Sequence, residues 1–389
     1  MFTPRNQSRA GQLVQQSSGT HGFAAFIPAP LPPQPPIQFS AELQRGLENA
    51  GMALGRLDGV TLVLPDPALF LYTYIRKEAV LSSQIEGTQS SLSDLLLFEN
   101  EAVPATPASD ADETANYSAA MQHGLERLKG GFPLSLRLLK EIHAVLVRGT
   151  RGGDKSPGEF RTTQNWIGGT RPGNAAFVPP PPHELMSALS NLERFLHADD
   201  DGIPTLIRAG LAHAQFETIH PFLDGNGRVG RLLITFLLCE RGVLSQPLLY
   251  LSLFFKRFRS QYYEALQRVR VDGDWEHWIA FYLEGVHTVA VDATNTAREL
   301  IALFERDRQR IQALGRPSMN ALAVHELIKR RAVTTITAAA KATGTSFPTA
   351  AASLQRLEAL GIVREATGQR RDRVYVYGQY LDVLERELS

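Results

Sequence analysis

The run His220-Pro221-Phe222-Leu223-Asp224-Gly225-Asn226-Gly227-Arg228-Val229-Gly230-Arg231 constrains this fold more than any other part of the chain. Leu232 to Arg241 continues it without a breaker, and Gly242 is a plausible helix stop. Upstream, Leu211, Ala214, Gln215, Phe216 and Ile219 fall at helical spacing. The run therefore reads as a tight loop between two helices, with Gly225, Asn226 and Gly227 at the N-terminus of the second. Unpaired backbone N–H groups and the helix dipole make such a terminus attractive to anions.

The side chains sharpen this reading. Arg228 and Arg231 lie three apart and share a helix face, and a guanidinium fork bonds two phosphate oxygens at once. Asp224 is a hard oxygen ligand suited to Mg²⁺, which commonly takes one or two carboxylates plus substrate phosphates. His220 titrates near neutrality, as a general base should. Two overlapping patterns fail. Gly225-x-Gly227-x-x-Gly230 fits a dinucleotide fingerprint, but that needs a preceding strand, and Ala209 to Ile219 reads as helix. Asp224-Gly225-Asn226-Gly227 resembles the start of a calcium loop, but Arg228 and Val229 stand where an oxygen ligand and glycine are required.

The whole run resembles the signature of the Fic family, HPFxDGNGRxGR, with every specified position present; Ala212-His213-x-x-Phe216-x-x-Ile219 is similar to its flank. The resemblance implies a mainly α protein: a Fic-type helical core with a β-hairpin flap. It implies transfer of a nucleotide monophosphate, usually AMP from ATP, to a Ser, Thr or Tyr hydroxyl of a target protein or of the enzyme itself. His220 would deprotonate that hydroxyl, and Phe222 would point inward and anchor the loop. Asp224 would hold Mg²⁺ against the α- and β-phosphates. Gly225, Asn226 and Gly227 would bind phosphate oxygens, with Arg228 and Arg231 on the β- and γ-phosphates. Phe222 and Leu223 complete the ATP-binding stretch. Related sequences use other nucleotides or phosphocholine, and an intact Arg228/Arg231 pair suits a nucleoside triphosphate.

Lys77 to Gly87 reads as a helix ending at Gly87, and Ser82-x-x-x-Glu86-Gly87 matches the family's inhibitory pattern [S/T]xxxE[G/N]. Ser82 and Glu86 are four apart and share a face. The resemblance implies that Glu86 pairs with Arg231 and blocks productive ATP in cis. An alternative is that Glu86 positions a water and the enzyme removes AMP.

Gly158 to Gly169, followed by a Pro/Gly loop and Phe177-Val178-Pro179, suggests a β-hairpin. In the family such a flap pairs with the target chain, which would bring Trp166 and Ile167 to the target or the nucleotide; packing on the core is the alternative. The Arg259 to Leu266 stretch also resembles the family's later core, and implies that Tyr262 or Tyr263 reaches the nucleotide. His213 reads as a structural group, and His143 as a surface or capping residue.

The 389 residues carry 40 Lys+Arg and 40 Asp+Glu, so no global pull toward nucleic acid or membrane is expected. A single Cys239 excludes an internal disulfide and, with no signal-like N-terminus or membrane-length apolar run, predicts a cytoplasmic protein without membrane attachment. Residues 1–40, rich in Pro between Pro28 and Pro36, read as an extended linker or strap. Residues 41–112 read as helices 41–56, 67–86 and 91–98, the last with a Ser91/Asp94 capping box, then a loop from Glu101 to Asp112. These apolar helices could support a homodimer. The catalytic core spans 113–290, with a linker helix over 291–316. Residues 317–389 resemble a winged helix-turn-helix, with an arginine-bearing wing around Arg370 and Arg371. Residues 316–389 carry 11 Lys/Arg against 7 Asp/Glu, four more positive than negative, which favours DNA contact over a protein-binding role only modestly.

Overall fold

The computed structural model describes residues 7–16, 22–63, 68–99, 108–199, 201–315, 318–369 and 372–386. The expected loop segment 101–107 and the wing arginines Arg370 and Arg371 lie outside them.

The chain opens with α1 (Gln7–Ala10) and an antiparallel hairpin, β1 (Gly11–Gln15) and β2 (Ala24–Pro28). A helical body follows: α2 (Ala41–Val63), α3 (Ala68–Ile85), α4 (Leu92–Glu99), α5 (Ala108–Lys129), α6 (Leu136–Leu146), α7 (Pro182–His197), α8 (Thr205–Ile219), α9 (Asn226–Glu240), α10 (Ser252–Arg257), α11 (Arg259–Asp272) and α12 (Trp275–Gln312). The C-terminal part holds α13 (Ser318–Arg331), β3 (Val333–Thr335), α14 (Ile336–Thr343), α15 (Phe347–Ala359), β4 (Val363–Glu365), β5 (Val374–Tyr377) and α16 (Gly378–Glu385). Its strands form an antiparallel sheet in the order β3-β5-β4, which is the element order of a winged helix-turn-helix. No helix among the described residues is long and apolar enough to cross a membrane.

Helices α8 and α9 are the centre of the body. Every α8 residue from Leu206 to Ile219 is buried, and α9 is buried almost throughout from Asn226 to Leu238. A helix enclosed on all sides has no solvent face to place its polar groups on, so each polar side chain there requires an internal partner.

The structure departs from the sequence reading in four places. Residues 1–40 are not simply extended, because the hairpin β1–β2 precedes the proline strap. Arg9 ties that strap down, donating to the Pro35 carbonyl at 3.1 Å and pairing with Glu276 at 2.7 Å. Helix α2 runs seven residues past the expected Arg56, and α5 begins at Ala108, inside the expected loop. The boundary drawn at 290 falls within the unbroken α12, whose inward stripe continues through Ala293, Ala297, Leu300 and Phe304 to Ile311. Finally, the flap is a narrow hairpin: one antiparallel bridge joins Ile167 to Phe177, with no extended strands. The Ser91/Asp94 box forms as read, Ser91 N–H donating to Asp94 at 2.9 Å and Asp94 N–H to Ser91 Oγ at 3.1 Å.

The N-terminal hairpin props up the flap. Phe26 is fully buried against Phe177 (ring centroids 5.7 Å apart) with Ala10, and Leu13 and Ile167 close the cluster. The Phe26 N–H donates to the Val178 carbonyl at 2.9 Å. Phe26→Ala is expected to lower stability by about 3 kcal/mol and to speed amide exchange at Ile167 and Phe177. Denaturant unfolding and hydrogen exchange on the two proteins check both, and unchanged exchange would sever the hairpin from the flap.

Candidate active site

The α8–α9 connection is short because His220 adopts a left-handed conformation (φ 49°), closing α8 with its N–H on the Phe216 carbonyl at 2.9 Å. Asn226 then clamps the loop from inside. Its Oδ1 accepts from Phe222 N–H and its Nδ2 donates to Phe222 C=O, both at 2.8 Å. The Phe222 ring is fully buried and stacks on His143 at 3.8 Å. Phe222 thus anchors the loop, as read. The Phe222 and Asn226 side chains are both used in holding the loop's geometry. Leu223, at 37% exposure, projects from the loop.

Two residues from the flap base hold the α8–α9 loop from outside. Arg161 donates to the carbonyls of His220 (3.0 Å), Pro180 (2.6 Å) and Ile219 (3.4 Å). Asn165 Nδ2 donates to His220 C=O at 3.1 Å and Phe222 C=O at 2.9 Å. In the flap itself, Trp166 is 39% exposed, whereas Ile167 packs inward on the Phe26–Phe177 cluster.

Three histidines surround the loop, and burial pushes each ring down: His143 to about 4, His213 and His220 to about 3. All are neutral at pH 7. His143 accepts from Gly158 N–H through Nδ1 at 2.9 Å, so its proton sits on Nε2 and goes to the Asp224 carbonyl at 3.2 Å. His213 donates through Nδ1 to the Gly230 carbonyl at 2.7 Å and accepts the Tyr262 hydroxyl through Nε2 at 2.8 Å. Tyr262 is buried and its proton is committed, so of the two tyrosines only Tyr263, 44% exposed, remains open to a ligand. His220 differs from the other two: among the described residues its Nδ1 has no partner within hydrogen-bonding distance, and the nearby Glu217 carbonyl only partly offsets the fall. Arg270 and Arg161 add to burial in depressing it. A polyphosphate alongside would raise it back toward neutrality.

The two motif arginines are enclosed and matched. Arg228 is fully buried and donates to Glu113 at 3.2 Å and, more loosely, to Asp224 at 3.5 Å. Arg231 donates to Ser82 Oγ at 2.8 Å, the Ser82 carbonyl at 3.0 Å and Glu86 at 2.8 Å. Gly87 (φ 108°) lets the chain turn away just after Glu86. Burial pushes Glu86 up, but Arg231 outweighs it and holds the carboxyl below the ordinary range. A Cβ on Gly227 would lie 2.3 Å from Glu86 Oε1. The Glu86 carboxylate therefore rests against the first turn of α9, where an external anion would bind.

Asp224 is partly exposed. Its Oδ1 accepts from Gly225 N–H at 2.6 Å, and among the described residues its Oδ2 accepts no hydrogen bond and stands 3.9 Å from Arg151 Nε. One open carboxylate oxygen beside an anion cradle fits a Mg²⁺ ion completed by phosphate oxygens. Among the described residues no cluster of three or more His, Cys, Asp or Glu side chains could hold a metal unaided.

Residues 44–126 match the Fic/DOC family N-terminal model and 133–238 the Fic/DOC family model. Both matches are to Fic/DOC family domains, and together they cover just under half of the chain. It is 33% identical over 205 residues to a protein named protein adenylyltransferase Fic from Culex quinquefasciatus, covering 51% of this chain and 37% of that one. A protein of the same name from Drosophila grimshawi is 30% identical over 203 residues, covering 51% and 38%. The chain thus spans under two fifths of the length of these curated relatives. The fold resembles a crystal structure of a Fic family protein from Desulfovibrio desulfuricans, with TM-score 0.55 and 18% identity, covering 88% of this chain and 98% of that one. It also resembles a Fic domain containing signaling protein from Bacteroides thetaiotaomicron, with TM-score 0.51 and 18% identity, covering 64% and 95%.

Sequence reasoning assigned no role to Glu113, Arg161, Asn165 or Glu217, and it left His143 at the surface. Glu217 lies three residues before His220, is 7% exposed, and among the described residues its Oε1 has no hydrogen-bond partner. Burial pushes its carboxyl up to about 7, with Arg231 pulling down and Glu86 pushing up. A carboxyl raised from 4.5 in this way lends the fold stability that is complete below pH 4.5 and lost as pH rises through 7. The stability of the native protein relative to Glu217→Gln should therefore fall between pH 4.5 and 8, by up to about 3 kcal/mol. Urea unfolding of both at pH 5 and pH 8 measures it, and a pH-independent difference would refute the burial of this group.

Proposed function

We propose that this chain is a protein adenylyltransferase that moves AMP from ATP to a Ser, Thr or Tyr hydroxyl, on a target protein or on itself, and that Glu86 restrains it. The observation that carries this reading is the convergence around the α8–α9 loop of a neutral His220, an open Asp224 oxygen and the Glu86–Arg231 pair.

In this reading the target hydroxyl oxygen attacks the α-phosphorus while His220 takes its proton. The bond to the β-phosphate oxygen breaks and pyrophosphate leaves. The N–H groups of the first turn of α9 receive the phosphate oxygens, and the fixed loop keeps them aimed without reorganisation. Mg²⁺ at Asp224 would neutralise phosphate charge and orient the α- and β-phosphates. The exposed Trp166 of the flap and Tyr263 are the candidate contacts for target and nucleotide.

Glu86 inhibits, in this reading, by presenting its own carboxylate to Arg231 and the α9 terminus. A phosphate must displace it to bind productively. Removal of AMP by a water held at Glu86 is the competing direction. DNA contact by residues 317–389 is a separate proposal, supported by the element order and by the excess of basic residues; loss of binding with added salt would mark it as phosphate-driven.

Intact-mass measurement after incubation with ATP and Mg²⁺ tests the reading. Glu86→Gly should gain AMP faster than the native chain, and His220→Ala in the same background should lose at least about 100-fold in labelling rate. Labelling that survives His220→Ala would refute the base. A native chain that strips AMP from pre-labelled protein, while Glu86→Gly does not, would reverse the direction.

A further inference from the structure

We propose that Arg151, on the loop after α6, is a further phosphate-binding residue of this site, one that grips the nucleotide's phosphate chain and stabilises the departing pyrophosphate. The proposal rests on the transferase reading above.

Both motif arginines already face carboxylates. Arg228 is enclosed with Glu113, and Arg231 with Glu86 and Ser82. Each pair is close to neutral, so neither answers the whole charge of a metal–triphosphate, which remains anionic. Arg151 is differently placed. Its side chain is 52% exposed, and its Nε stands 3.9 Å from both Glu113 Oε1 and Asp224 Oδ2. Those separations are ion-pair contacts beyond hydrogen-bonding reach. Among the described residues its guanidinium donates no hydrogen bond, so its planar fork is uncommitted.

The loop is built to put it there. Asn116 Nδ2 donates to the Arg148 carbonyl at 2.7 Å, which fixes the loop to α5. Gly153 N–H donates to Thr150 C=O and Lys155 N–H to Gly152 C=O, both at 2.9 Å. Gly152 has φ 89°, and a Cβ there would lie 3.0 Å from Asp224 Cβ and 3.5 Å from its Oδ2. The main chain next to Arg151 is therefore pressed against the carboxylate that fits a metal. A cation taking Asp224 Oδ2 would end that contact with Arg151 and bring phosphate oxygens beside the freed fork. Its field already reaches the cradle: Arg151 lowers the proton affinity of both Glu86 and Arg228. A fork-shaped donor here would neutralise the charge that builds on the leaving oxygens as the α–β bond breaks.

The test uses the full chain in the Glu86→Gly background, comparing Arg151→Ala and Arg151→Lys with their parent. Labelling kinetics should show kcat/KM for ATP falling about ten- to a hundredfold in Arg151→Ala, with partial recovery in Arg151→Lys. Titration calorimetry should show weakened ATP affinity and unchanged adenosine affinity, at an unchanged melting temperature. Unaltered ATP kinetics overturn the proposal. An equal loss of ATP and adenosine binding overturns it too, because that marks a structural role. So does a shifted Mg²⁺ requirement with ATP affinity intact, because Arg151 would then only screen Asp224. A parent that neither binds ATP with Mg²⁺ nor becomes labelled refutes the transferase reading first, and Arg151's assignment falls with it.

Discussion

A guanidinium enclosed in an apolar interior must be matched by an anion, and Arg231 is such a group. It sits on a helix buried from almost every side, packed against α8, which is buried along nearly its whole length. Glu86 and Ser82 supply the match from α3, more than 140 residues away in sequence. That requirement fixes where α3 ends, why Gly227 carries no side chain, and which chemical class of ligand could replace Glu86. In the proposed reading, a phosphate from outside would answer the same electrostatic demand that the Glu86 carboxylate answers from within.

The surrounding loop is rigid for a different reason. Nearly every polar group in it is used by a neighbour: Asn226 by the Phe222 main chain, His143 by Gly158 and Asp224, His213 by Gly230 and Tyr262. Some capacity stays unmet: among the described residues His220 Nδ1, Glu217 Oε1, Asn165 Oδ1 and Arg228 Nε are buried with no partner at hydrogen-bonding distance.

What could be read beforehand was local. Glycine punctuation and apolar runs made the helix–loop–helix around residues 220–231 legible, and the Ser91/Asp94 box marked a helix start to within a residue. What could not be read was set by distance along the chain. Glu113 meets Arg228 across 115 positions, and His143 meets Asp224 across 81; neither spacing leaves a periodic trace. The N-terminal hairpin escaped because its strands are five residues each and the surrounding proline-rich composition suggested an extended chain. The boundary drawn at 290 leaves no mark on the helix: a change of domain need not interrupt one, and α12 keeps one inward stripe for 38 residues.

Helix α3 has two ends in different neighbourhoods. Near its start, Thr73 Oγ1 and the Tyr380 hydroxyl are 2.9 Å apart, and Phe70 packs on Phe304; at the far end Glu86 follows its last turn. The helix that carries Ser82 therefore also carries the C-terminal part of the chain on its flank. Eighteen residues of continuous helix span about 27 Å and do not bend without losing backbone hydrogen bonds. One straight helix thus joins the hydroxyl pair at Thr73 to the turn that carries the partner of Arg231.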